Sequence, residues 1–99
     1  MPKMLSTDLD DPEAMPYFLW DDPMTVREVR HRLATASKAE QDYLLGKIMR
    51  EARDTDVWRF TTPREVAARW GDLSKHLGRS RLFWVYLLAL WRAEGLLGA

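Results

Sequence analysis

Apolar residues recur at helical spacing in three stretches of this chain. Val26, Val29 and Leu33 form one stripe, Leu44, Leu45, Ile48, Met49 and Ala52 a second, and Val66, Ala67 and Trp70 a third. Each is preceded by a start signal. Thr25 with Glu28, Ser37 with Glu40 and Thr62 with Glu65 match the capping box, and Pro63 stands at the first helical position, where its missing N–H costs nothing. The pattern predicts one helix from Thr25 to Ala34, a second over residues 38–53, and a third from Thr62 that Gly71 ends. Asp54-Thr55-Asp56 reads as a break, and Val57-Trp58-Arg59-Phe60 as a short turn with its aromatics inward. Residues 72–78 read as a further short helix with Leu73 and Leu77 facing in.

From Ser80 to Glu94 the chain is apolar nearly all round, which predicts a last helix, with Gly95 placed for a C-cap and Leu96 behind it. Such a helix is either wrapped by its neighbours or partly buried against a second chain. Gly46 weakens the second helix by about 1 kcal/mol relative to alanine. A glycine beside the buried face points to close approach by another helix backbone.

Residues 1–24 differ from the rest. Pro2, Pro12, Pro16 and Pro23 interleave with carboxylates, so neither a long helix nor a central strand forms there. The expectation is an extended acidic arm ahead of a helical domain over residues 25–99. Tyr17-Phe18-Leu19-Trp20 inside the arm is too apolar for a linker. It serves either as a clasp folded back on the helical body or as a docking segment for a partner.

Thr25-Val-Arg-Glu-Val-Arg-His-Arg-Leu33 and Thr62-Pro-Arg-Glu-Val-Ala-Ala-Arg-Trp70 share the pattern T-x-R-E-V-x-x-R-Φ at an offset of 37 residues. Each is followed by a longer apolar segment, so the natural reading is two stacked αα-hairpins. Duplication and the recurrence of a good capping sequence both produce such an echo. Either origin gives an all-α fold of four main helices plus short helical turns.

Composition narrows the class. The chain has 99 residues and no cysteine, so it is one small domain without disulfides, thiolate metal sites or a thiol nucleophile. No charged start leads into an apolar leader segment and no run of 18 residues is cleanly apolar, which leads us to expect a soluble, cytoplasmic protein. Formal net charge is zero, but residues 1–24 carry six carboxylates against Lys3, a net of −5. Residues 25–99 carry 14 basic and 9 acidic side chains, a net of +5. These segments can attract each other in cis, pair between subunits, or be separated by a partner.

Chemistry is sparse. There is no phosphate-cradling glycine loop, His-Glu-x-x-His, nucleophile elbow or EF-hand pattern. His31 and His76 have no ligand-like spacing and read as solvent-facing. Glu51, Asp54 and Asp56 could be imagined around Mg²⁺, but local capping explains them. No positioned base, electrophilic stabiliser and dry pocket can be named, so no enzyme, cofactor or metal is expected, a small metal-dependent enzyme being the remotest alternative. Nucleic-acid binding is the serious alternative, because Arg64, Arg69, Lys75, His76, Arg79 and Arg81 crowd one region. Five lysines or arginines against two carboxylates over residues 62–81 is a modest excess. Five tryptophans argue instead for a protein surface, since Trp and Arg are the common hot-spot residues of interfaces.

Tyr17-Phe18-Leu19-Trp20-Asp21 through Thr25-Val26-Arg27-Glu28, then Tyr43-Leu44-Leu45-Gly46-Lys47-Ile48-Met49-Arg50-Glu51-Ala52-Arg53, and above all Asp56-Val57-Trp58-Arg59-Phe60-Thr61-Thr62, carry a resemblance. Over residues 16–92 the chain resembles a family of small bacterial helical proteins often encoded beside an abortive-infection type nucleotidyltransferase toxin. The resemblance implies an antitoxin-like or accessory role exercised by protein contact, with DNA binding for autoregulation as a further option, and supplies no catalytic motif. The expected partner is a second copy, a nucleotidyltransferase-like protein, or both. The expected contact residues are Tyr17, Phe18, Trp20, Asp21, Asp22, Trp58, Trp84 and Trp91. The DNA-binding alternative would use Arg64, Arg69, Lys75, Arg79 and Arg81.

Overall fold

A computed structural model describes residues 5–97; Pro2 and Lys3 of the expected arm lie outside the described residues. The fold is mostly α-helical. Its elements are strands β1 (Leu5–Ser6) and β2 (Met15–Pro16) and helices α1 (Val26–Thr35), α2 (Lys38–Glu51), α3 (Asp54–Val57), α4 (Pro63–Ala68), α5 (Trp70–Leu73) and α6 (Arg81–Ala93). Single 3₁₀ turns occupy Tyr17–Leu19, Ser74–His76 and Gly78–Ser80.

Local signals set the starts of three helices. The hydroxyls of Thr25, Ser37 and Thr62 accept from the backbone N–H of Glu28, Glu40 and Glu65 at 3.1, 3.2 and 3.2 Å. Two of the glutamates are used elsewhere rather than reaching back to the cap: Glu28 holds Arg32 at 2.9 Å, and Glu65 accepts from the Thr61 hydroxyl at 3.0 Å. Gly95, at φ +74°, ends α6 as expected. Leu96 N–H bonds to the Trp91 carbonyl at 2.9 Å and Gly95 N–H to that of Arg92 at 3.2 Å, the paired bonds of a Schellman cap.

The third helix departs from expectation. It stops at Ala68 because Arg69 leaves helical geometry (φ −102°, ψ 8°), and α5 then carries the chain straight through Gly71 to Leu73. The single helix expected over residues 72–78 is instead the end of α5 followed by 3₁₀ turns. The second T-x-R-E start therefore opens a helix of 6 residues where the first opens one of 10.

Helix α2 is the centre of the packing. Its residues 44–49 are all buried, between α1, α5, the 74–76 turn and the Tyr17–Leu19 turn. Gly46 faces not a helix backbone but His76: a Cβ on Gly46 would lie 2.5 Å from the His76 Cβ. The expectation that His76 faces solvent is corrected accordingly, because its ring lies half-buried and edge-on to Tyr43 at 5.8 Å.

The compositional boundary at residue 24 is not a boundary in packing. Leu9, Phe18, Leu19 and Met24 are buried in the same core as Val29, Ile48, Val57, Val66 and Trp84. Nor is the arm simply extended. Leu5 and Ser6 pair in parallel with Met15 and Pro16, and the intervening loop turns back so that its carbonyls cap α1: Val26 N–H donates to Ala14 and Arg27 N–H to Pro12, both at 2.9 Å. With Glu28 held by Thr25, the first three donors of α1 all have partners, as helix N-termini require.

Candidate interaction surface

Segregated charge explains much of how the arm is held. Glu13 pairs with Arg27 at 2.6 Å, Asp21 with Lys47 at 2.5 Å, and Asp10 with Arg59. Tyr17 adds a neutral link: its hydroxyl donates to Asp56 at 2.6 Å and accepts from the Arg53 backbone N–H at 2.8 Å. Lys47 is only 4% exposed, so Asp21 supplies the counter-charge its burial demands. The same ammonium holds the Asp21 carboxyl below the usual carboxylate range.

A second network joins α2 to the segment after α4. The Lys38 ammonium bridges Asp42 at 2.8 Å and Asp72 at 2.6 Å, and Arg69 reaches Asp42 at 3.3 Å and Gln41 at 3.1 Å. Its bond to Asp42, then that to Asp72, raises the Lys38 pKa, and Lys38 in turn lowers that of Asp72. Arg69 is thereby committed inside the molecule, and Lys75 lies 3.6 Å from Asp72. Of the basic residues expected for a nucleic-acid face, Arg64, Arg79 and Arg81 are exposed with no ion pair among the described residues.

Helix α6 presents two unlike faces. Trp84, Leu88 and Trp91, spaced four and three apart, point into the core, where Trp58 meets Trp84 and Trp91 edge-on at 5.7 and 5.3 Å. The Trp84 indole Nε1 donates to the Met49 carbonyl at 3.1 Å, so burial leaves no polar atom unpaired there. The opposite face is uncovered. Leu82 is 75% and Tyr86 64% exposed, and Phe83, Val85 and Leu90 stand exposed beside them. At 100° per residue, Leu82, Tyr86, Ala89 and Ala93 fall within roughly 60° of one another, opposite Trp84. Arg81 and Arg92 border this ridge on one flank and Glu94 on the other, all exposed.

These positions correct several expected contact residues. Trp84 at 1% exposure, Trp91 at 8% and Phe18 belong to the core, and Trp58 is half-buried against them. Tyr17 is half-buried with its hydroxyl engaged, and Asp21 is committed to Lys47. Trp20 and Asp22 remain on the surface. The reading of the last helix as wrapped by its neighbours is also overturned, because an entire face of α6 is bare. Sequence reasoning missed Leu82, Phe83, Val85, Tyr86 and Leu90; the available signal was the Trp84-Leu88-Trp91 stripe, whose larger rings claim the inward side.

A groove of about 350 Å³ lies between the end of α1 and the first turns of α2, floored by Met24, Ala36, Ala39 and Leu44. Asp22 and Glu40 stand on its rim with exposed Tyr43, and Arg32 and Lys47, paired with Glu28 and Asp21, also line it. Among the described residues no three His, Asp or Glu side chains are grouped closely enough to hold a metal ion, and no helix is long and apolar enough to cross a membrane. Comparison with known proteins finds no matching family model, no similar curated protein and no similar solved structure.

Proposed function

We propose that this chain is a non-enzymatic protein–protein interaction module whose contact surface is the bare face of α6. The observation that carries the reading is that Leu82, Phe83, Val85, Tyr86 and Leu90 are all exposed on one 13-residue helix. A contiguous exposed apolar face with a polar border is the usual mark of a binding surface. The resemblance noted above supports an antitoxin-like, cytoplasmic accessory role, with a nucleotidyltransferase-like protein or a second copy as partner, and the repeated T-x-R-E starts support reading the body as two helical hairpins.

Light scattering of the full chain, alone and co-expressed with that nucleotidyltransferase-like protein, tests the proposal. The expected result is a species larger than the 11.6 kDa monomer that reverts to monomer in Tyr86→Glu. Monomer in both preparations overturns it. A second reading, DNA binding, draws on the unpaired Arg64, Arg79 and Arg81; it requires salt-dependent retention of duplex DNA that weakens when these arginines are reversed.

A further inference from the structure

We infer that the α6 ridge of one molecule docks into the α1–α2 groove of a second copy of the same chain. This rests on the reading of α6 as a contact surface and names its occupant.

The first support is the charge left over after the internal ion pairs are made. Among the described residues, Asp8, Asp11, Asp22, Glu40, Asp54 and Glu94 have no ion pair, and four of the six lie within the first forty positions. The cations in the same condition are Arg30, Arg64, Arg79, Arg81 and Arg92, and Arg30 is occupied by the Arg59 carbonyl and the Phe60 ring. Pairing in cis thus reduces the opposed charges of the two segments without cancelling them. What survives is Asp22 and Glu40 at the groove, whose Arg32 and Lys47 are already paired with Glu28 and Asp21, and Arg81 and Arg92 along one flank of the ridge, with Glu94 on the other.

Shape and polarity agree with charge. The ridge is convex and apolar, bordered by Arg81 and Arg92 on one flank and Glu94 on the other, and its most exposed side chain is Leu82. The groove is concave, has an aliphatic floor, and carries Asp22 and Glu40 on its rim. Its volume of about 350 Å³ accommodates one or two large side chains. Pairing α6 with α6 in antiparallel fashion would instead set Arg81 of one copy beside Arg92 of the other and leave the groove empty.

A specific interface needs roughly 800 Å² from each partner. One face of a helix about 20 Å long falls short of that. If each molecule offers its ridge to the other's groove, the contact is made twice and closes on a two-fold axis.

The test uses the full chain and two charge-reversed variants, Asp22→Arg/Glu40→Arg for the groove and Arg81→Glu/Arg92→Glu for the ridge. All four side chains are exposed and outside the internal ion pairs, and circular dichroism checks that each variant remains folded. Sedimentation velocity at rising concentration should show self-association of the native chain. Each reversal alone should weaken it about tenfold or more by placing like charges together, and an equimolar mixture of the two variants should restore it, since each groove then meets an oppositely charged ridge.

Self-association indifferent to the groove reversal overturns the inference, as does failure of the mixture to recover. So does binding of α6 to anionic lipid vesicles with no self-association. A native chain that stays monomeric alone yet enters a complex with the nucleotidyltransferase-like protein removes the self-docking inference and leaves the proposed function standing. Monomer under both conditions removes both.

Discussion

Tyr17 and Asp56 are 39 residues apart in sequence, and the phenol hydroxyl of one donates to the carboxylate of the other at 2.6 Å. The same hydroxyl accepts from the Arg53 backbone, so a single oxygen ties the arm both to the turn between α2 and α3 and to α3 itself. Around it Phe18 stacks edge-on against Tyr17 and Phe60.

Replacing Tyr17 with phenylalanine keeps the ring contacts and removes only that oxygen, leaving the part-buried Asp56 carboxylate with the Arg53 guanidinium 3.4 Å away and the exposed Arg53 N–H to water. The expected cost is about 1–3 kcal/mol, seen as a lower urea midpoint with an unchanged slope. An unaltered midpoint would mean that this bond does not hold the arm.

Gly46→Ala sets helix propensity against sterics. Alanine gains about 1 kcal/mol in a helix, but its methyl would fall 2.5 Å from the His76 Cβ, and neither atom is the end of a flexible chain. Overpacking of this kind costs about 1–3 kcal/mol, so net destabilisation is expected. His76→Gly removes the opposing atom and should make Gly46→Ala favourable in the double variant, a non-additivity that thermal melts of the four proteins measure directly.

Two carboxylates carry an acid limb of stability. Lys47 lowers the pKa of Asp21 and Lys38 that of Asp72. A carboxyl whose folded pKa lies below its unfolded value, about 3.9 for Asp, stabilises the fold above that value and loses the contribution as pH falls through the folded pKa. Melting temperature should therefore drop below about pH 4, and Asp21→Asn should flatten part of that drop. A variant with the full acid dependence of the native protein would contradict the role given to the Asp21–Lys47 pair. Lys38 has the opposite sign: its raised pKa contributes below the unfolded lysine value and is lost as pH rises through the folded one.

The two faces of α6 should respond oppositely to substitution. Trp84→Ala empties the centre of the tryptophan cluster and is expected to cost about 3–5 kcal/mol. Leu82→Glu, on the bare face, should leave stability within about 0.5 kcal/mol while abolishing any association. If Leu82→Glu unfolds the protein and Trp84→Ala does not, the orientation of α6 is wrong.

What could be read from the sequence follows the range of the interactions involved. Thr25, Ser37, Thr62 and Gly95 each set a helix end through bonds to residues three to five positions away, and a linear chain displays such spacing. The break at Arg69 is different in kind, since its guanidinium reaches back to Gln41 and Asp42 on α2, and nothing local announces it. The orientation of α6 was legible only in part: both of its faces are apolar, the Trp84-Leu88-Trp91 stripe marks the inward one, and the distant partners Trp58 and Met49 fix it. Charge segregation announced that arm and body would attract, while the pairings Asp10–Arg59 and Asp21–Lys47 depend on a fold that brings distant residues together.

The clasp at Tyr17 also imposes an order on biosynthesis. The arm leaves the ribosome before Lys47, Arg53, Asp56 and Arg59, the groups that receive it. Leu9, Phe18 and Leu19, whose core includes Val57 and Trp84, are therefore covered only after those later residues have emerged, although the carbonyls of Pro12 and Ala14 that cap α1 are made before it. A protein built this way cannot fix the arm as it is made; the segment is held only once the middle of the chain is present to receive it.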